Sequence, residues 1–193
     1  YLPEKITLQE MSSRYPQTFR ECETVFPALT RERYSSPLKV RDRALHHLGE
    51  TWRVWEAKSW FGAITREEYI EEAMRNVGDL INQSHTSLRD LYEVSTPQVE
   101  SLIEIVRSDP QVYGARLMGG GFGGNVLALT KVENASRLID RVQQEFYSPQ
   151  QRDGLGEGSI MVSTPGEGLS ENFPPADKNS GFGFPEAANS VKE

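Results

Sequence analysis

With 193 residues, 37% of them hydrophobic, the chain is long enough for one domain with a core and an added helical arm, although the low apolar share predicts that part of it packs poorly. Its 28 acidic against 21 basic residues leave a net charge of −7, which argues against nucleic acid or an anionic membrane as partner while leaving room for one phosphate held by backbone N–H groups. A lone cysteine, Cys22, and apolar runs as short as Val126–Leu129 exclude an internal disulfide and a bilayer-spanning helix, which fits a reducing cytoplasm.

Tyr1 stands where a start methionine would, and no apolar leader follows it, so the chain reads as a fragment or processed product. Residues 1–35 read as irregular. Ser36-Pro37 has the letters of a helix start, the serine as cap and the proline in the first turn. Leu45, Leu48, Trp52 and Trp55 follow at steps of three and four and line one face of a helix to about Ser59. Thr65-Arg66-Glu67-Glu68 has the capping-box pattern, and Ile70, Ala73, Val77, Leu80, Ile81, Leu88 and Leu91 behind it predict a long amphipathic helix. These first two helices are expected to pair as a hairpin. Thr96-Pro97 opens a third, with Val99, Leu102, Ile103 and Val106 inward, and Asp109-Pro110 closes it.

The pattern then changes to a strand at Tyr113–Met118, a glycine loop at Gly119–Gly124 and a second strand at Val126–Thr130. Asn134 is a candidate cap for a fourth helix with Leu138, Ile139, Val142 and Phe146 inside, and Ser159–Ser163 reads as a short third strand. Together these predict an α+β fold: a small antiparallel sheet with helices packed on one face, plus the helical hairpin. The domain is placed at 36–165. Residues 166–193, rich in Gly, Pro, Ser, Asn and acids, read as a flexible tail.

The loop Gly119-Gly120-Gly121-Phe122-Gly123-Gly124 holds five glycines in six residues, an entropic cost that requires a use for the missing side chains. One use is a nest of N–H groups around an anion, a second is close approach to a neighbour, and a third is a tight turn between strands. Gly119, Gly121 and Gly124 spell G-x-G-x-x-G, but the strand formers of Asn125–Thr130 follow where a dinucleotide fold needs a helix.

Here the chain resembles a known family. Gly114-Ala115-Arg116-Leu117-Met118, running into Gly119–Gly124, is similar to the third signature motif of the GHMP kinases, in the galactokinase branch. Ser84-His85-Thr86-Ser87-Leu88-Arg89-Asp90-Leu91-Tyr92-Glu93-Val94-Ser95 is a second match, and Ser12-Ser13-Arg14-Tyr15-Pro16 with Cys22 a weaker third. They stand in family order and cover most of residues 12–165.

The resemblance implies a ferredoxin-like GHMP C-terminal domain, with residues 1–35 coming from the domain junction. It implies transfer of the ATP γ-phosphoryl group to the anomeric hydroxyl of galactose or a related aldose, a reaction that needs positioning and charge stabilisation. It places Gly119, Gly120, Gly121, Phe122, Gly123 and Gly124 at the nucleotide and active-site loop, and Tyr15 against the sugar. A partly buried loop tyrosine is the other reading of Tyr15. The catalytic groups, the ATP-cradling loop and the Mg²⁺ site are implied to lie in an N-terminal kinase domain, the chain's expected partner. No catalytic or metal-binding residue is therefore assigned in this chain. Thr18 and Phe19 stand where the family has basic residues, which leaves the sugar open. A non-catalytic GHMP-fold sensor of sugar and ATP is the alternative.

The remaining candidates read as structural. His85 is kept as a packing or hydrogen-bonding residue, His46 and His47 as helix-surface residues, and Trp52, Trp55 and Trp60 as core or hairpin packing rather than a sugar platform. Asp90 and Glu93 read as solvated helix-end charges.

Overall fold

A computed structural model describes residues 2–64, 66–148 and 160–164. Residues 1–35 differ from the irregular stretch the sequence suggests, because they carry three short helices: α1 (Leu8–Arg14), α2 (Pro16–Val25) and α3 (Pro27–Glu32). The cause is local. Thr7 and Glu10 form a reciprocal cap, with Glu10 N–H donating to Thr7 Oγ1 at 3.1 Å and Thr7 N–H to Glu10 Oε2 at 2.8 Å. Pro16 and Pro27 each occupy a first helical turn, where the missing N–H costs nothing.

Helix α4 (Val40–Ala63) begins four residues after Ser36. Leu38 is held in extended backbone instead, exchanging hydrogen bonds of 3.0 and 2.8 Å with Ile6. Thr65, the expected cap of the next helix, lies outside the described residues. A 3₁₀ turn at Glu67–Tyr69 leads into α5 (Ile70–Ser87), which widens into a π-helical turn at Leu88–Tyr92. Helix α6 (Pro97–Arg107) starts as expected, Thr96 Oγ1 accepting from Val99 N–H. Strand β1 (Val112–Met118) pairs antiparallel with β2 (Asn125–Thr130), with Ala115 opposite Ala128 and Met118 opposite Asn125. Helix α7 (Val132–Val142) ends in a second π turn at Gln143–Tyr147.

The α+β fold is the expected one, with a two-stranded sheet among the described residues. No third strand is present among the described residues: Ser159 lies outside them, and 160–163 form neither helix nor strand. They belong to a second unit that begins at Ile160. The expected tail, 166–193, is likewise outside the described residues.

The core gathers Ala73, Val77 and Leu80 of α5, Val99, Ile103 and Val106 of α6, Ala115 and Leu117 of β1, and Leu138 and Val142 of α7. Each of these valine, leucine and isoleucine side chains contributes roughly 1.5–3 kcal/mol when buried, the alanines less. Two glycines let α5 lie directly on β1. A Cβ on Gly78 would sit 2.3 Å from the Tyr113 carbonyl oxygen, and one on Gly114 would sit 2.2 Å from that of Gly78.

Helix α5 also closes the edge of β1 that faces away from β2. Ala115 N–H donates to Asn82 Oδ1 at 3.1 Å and Leu117 N–H to His85 Nδ1 at 3.3 Å. Arg107 of α6 donates to the Ala115 carbonyl at 2.6 Å. Side chains thus satisfy the backbone groups that a further strand would otherwise take.

Candidate functional site

The glycine loop joins the ends of β1 and β2. Gly119, Gly121, Gly123 and Gly124 have φ of 94°, 85°, 128° and 91°, and Phe122 has φ of 58°. This left-handed backbone is open to glycine and costs an L side chain roughly 1–2 kcal/mol. Phe122 adopts it while 78% exposed.

The glycines answer to different constraints. Gly121 combines positive φ with close approach, since a Cβ there would lie 2.4 Å from Val94 Cβ and 2.7 Å from the Val94 carbonyl oxygen. Beside it Phe122 N–H donates to that same carbonyl at 2.7 Å. Gly119 and Gly123 are set by φ alone, with nothing within 4 Å of a Cβ. Gly120 has neither positive φ nor a neighbour within that distance.

Val94, the seat of the loop, is buried. It follows Glu93, which leaves the π turn in left-handed backbone at φ 61°, and Val94 N–H returns to the Leu88 carbonyl at 3.1 Å. The Glu93 carboxylate meets Lys39 and, at 2.7 Å, Arg43. Its hydrogen bond from Lys39, followed by that from Arg43, holds its carboxyl below the usual range. Glu93 is therefore a solvated helix-end charge, as expected, that also ties the π turn to the start of α4.

His85 is fully buried under the end of β1. Because its Nδ1 accepts from Leu117 N–H, its proton sits on Nε2, which faces Glu100 Oε1 at 3.1 Å but misses hydrogen-bond geometry. Burial lowers its pKa, against the opposing pull of Glu100. Burial raises Glu100, but Ser95, His85 and Arg89 outweigh it and leave that carboxyl below its ordinary value.

A second polar cluster joins α4 to α5 and β1. Glu50 Oε2 accepts from Ser84 Oγ at 2.8 Å, and Arg116 donates to Ser84 Oγ at 2.8 Å. Burial raises Glu50, and Ser84, Arg53 and Arg116 bring it below the ordinary range. Sequence reasoning missed this cluster, because isolated charges on a helix read as a solvated face. The one local signal is Glu50 with Arg53, paired at i,i+3 and 2.6 Å.

Tyr15 caps the junction of α1 and α2 and is 42% exposed. The Arg14 guanidinium lies 5.8 Å from its ring centroid. Among the described residues no hydrogen bond or ring contact links Tyr15 directly to the glycine loop.

The packing expectation is corrected for Trp52 and Trp55, which are 51% and 44% exposed, while Trp60 is half-buried. Helix α4 turns His46, Glu50 and Arg53 toward α5 instead. His46 is likewise no surface residue: its Nδ1 is 2.9 Å from Ser87 Oγ and its ring stacks on Tyr92 at 4.6 Å. His47 is exposed. Asp90 is an exposed partner of Arg89 at 2.7 Å. Among the described residues no group of three or more His, Cys, Asp or Glu is arranged to hold a metal ion. No helix among them is long and apolar enough to cross a membrane.

This arrangement has relatives. The family model described as GHMP kinases C terminal matches residues 66–148, the stretch that holds α5, α6, the hairpin and α7. Galactokinase of Bos taurus is 36% identical over 162 residues, covering 74% of this chain and 39% of its own length. Galactokinase of Thermotoga neapolitana is 30% identical over 163 residues, covering 75% and 44%. The crystal structure of Lactococcus lactis galactokinase complexed with galactose matches 57% of this chain and 26% of that one, at 31% identity and a TM-score of 0.48. The chain thus spans about two fifths of the length of the curated relatives it matches. Residues 66–148 thus match a GHMP kinase C-terminal domain, in a chain that is similar to galactokinases over about three quarters of its length.

Proposed function

We propose that this chain supplies one wall of the active-site cleft in a galactokinase-like kinase. That enzyme transfers the ATP γ-phosphoryl group to the anomeric hydroxyl of galactose or a related aldose. Residues 66–148 belong to its C-terminal domain, and an N-terminal kinase domain brings the catalytic groups and the ATP-cradling loop. Mg²⁺, which would neutralise phosphate charge when bound, is placed in that other domain in this reading. Residues Gly119–Gly124 form the wall, and Tyr15 approaches the sugar from the junction with its phenol free to exchange hydrogen bonds.

Gly120 carries this reading. Its backbone is ordinary and its surroundings are open, so nothing in the described chain requires a glycine there. A group arriving from outside, a phosphate or a sugar, does. In such a cleft the chain acts by positioning: it leaves room for in-line approach of the sugar oxygen to the γ-phosphorus, with ADP as leaving group.

The test is Gly120→Val in the full-length protein. It is expected to fold normally yet lose about 100-fold in turnover of ATP with the sugar, since small misplacements at a reacting centre cost that much. Gly121→Val is expected to lose activity and loop geometry together, because its Cβ enters Val94. Full turnover by the Gly120→Val variant would overturn the assignment. ATP and sugar binding without ADP release by the wild type would favour the sensor.

A further inference from the structure

We infer that His85 is a positioning residue for the glycine loop, acting through Leu117 N–H to fix where β1 ends and hence how Gly119–Gly124 turns over Val94. This inference rests on the reading of that loop as a cleft wall.

The contacts close into a ring. Leu117, two residues before the loop, donates to His85 Nδ1 at 3.3 Å. His85 Nε2 faces Glu100 Oε1 at 3.1 Å, and Ser95 Oγ binds that same carboxylate oxygen. Ser95 is bonded to Val94, whose carbonyl accepts from Phe122 N–H at 2.7 Å. The loop is one arc of this ring. Within it, Gly119, Gly120 and Gly123 have no neighbour a Cβ would meet. The arc is therefore placed by its two ends and by the seat at Val94. Arg89 Nη1, 3.5 Å from Glu100 Oε2, steadies the carboxylate from the π turn.

Asn82 makes the same kind of contact one pleat earlier, its Oδ1 accepting from Ala115 N–H at 3.1 Å. An amide oxygen can thus serve as acceptor in this groove, and that gives the conservative variant. His85→Asn keeps an acceptor near the position of Nδ1. His85→Leu keeps comparable bulk and leaves the buried Leu117 N–H without a partner.

The experiment compares these variants by amide hydrogen exchange at Phe122 in this chain and by steady-state kinetics in the full-length protein. His85→Leu is expected to speed Phe122 exchange about 10-fold while the α6 amides of Ile103 and Val106 keep their protection. It is expected to lower kcat about 10-fold with KM for ATP and sugar within about 3-fold of wild type. His85→Asn is expected to recover both to within about 3-fold. Unchanged Phe122 exchange in His85→Leu, or an Asn variant as impaired as the Leu variant, would overturn the inference. Should His85→Leu fail to fold, Glu100→Gln carries the test, and an unchanged Phe122 amide there refutes the ring. A wild type without turnover on any aldose would defeat the kinase reading instead, leaving the exchange result to decide the role of His85.

Discussion

Helix α5 and helix α4 are neighbours in sequence and pack against each other, yet they use their surfaces in opposite ways. On β1, α5 places bare backbone at Gly78 and polar side chains at Asn82, Ser84 and His85, all buried or half-buried and all partnered. Helix α4 points its polar residues inward, at Ser84 and Ser87. Its apolar stripe of Leu45, Leu48, Trp52 and Trp55 is left in solvent. The difference separates two meanings of a hydrophobic period. In α5 and α6 it marks a core. In α4 it marks a face that the described residues leave largely exposed, while fixed polar pairs set where the helix lies.

The largest effect that would break the comparison belongs to the glycine contact. Gly114→Ala puts a Cβ 2.2 Å from the Gly78 carbonyl oxygen and 2.9 Å from Gly78 Cα. Both are backbone atoms, so α5 must lift from β1 and carry Asn82 and His85 with it. A loss of about 3 kcal/mol is expected, the upper range for overpacking. Gly119→Ala, strained by φ 94° but in open space, is expected to lose only about 1–2 kcal/mol. Urea unfolding of both variants, read at constant slope, checks the order. Equal losses would show that α5 does not rest on β1 through its backbone.

A smaller effect is expected where α5 meets the sheet through charge. Glu71 accepts from the Tyr113 hydroxyl at 2.8 Å and pairs with Lys131 and Arg75, each at 2.8 Å. The hydrogen bond from Lys131, then that from Tyr113, lowers its carboxyl from 4.5 to about 2. A depressed carboxylate stabilises the fold above its unfolded pKa, and that stabilisation is lost as pH falls through the folded value. The window therefore runs from about pH 4.5 down to about 2. Glu71→Gln is expected to flatten the fall of the urea midpoint across that window and to leave its profile near neutrality parallel to wild type. Identical acid limbs in the two proteins would show that the cluster does not couple to folding. Because the cluster is exposed, added salt is expected to shrink the difference.

What the letters reveal follows the range of the interaction. Thr96-Pro97 starts α6 where expected, since a cap and its N–H are three residues apart. The hairpin around Gly119–Gly124 was legible from glycines between strand formers, with each strand one residue longer than expected. The Thr7–Glu10 cap has an equally local signature, its two partners three residues apart. Asn134 is not the cap of α7. It lies inside the first turn, its amide donating to Thr130 Oγ1 at 2.9 Å. By contrast, the Gly78–Gly114 contact, the Ser84–Glu50 bond and the seat at Val94 join residues 27 to 36 positions apart. No local pattern marks those pairs. Nor do the letters separate Gly121, which needs its missing Cβ for Val94, from Gly120, which does not.

The smallest expected effect lies on the uncovered face of α4. Leu48 is 64% exposed and Trp52 51%, and a lysine at either position can lay its methylenes along the same neighbours while its ammonium reaches water. Leu48→Lys and Trp52→Lys are each expected to change unfolding free energy by less than about 1 kcal/mol, against the roughly 2–5 kcal/mol typical of a truncated core leucine such as Leu117. Urea unfolding at two protein concentrations decides what a larger loss would mean. If Trp52→Lys costs several kcal/mol and the wild-type midpoint rises with concentration, a second copy covers the stripe in solution. If the cost is large at every concentration, α4 packs by its apolar face within one chain. The contrast with α5 would then fall, because the period of Leu45, Leu48, Trp52 and Trp55 would have marked a core after all.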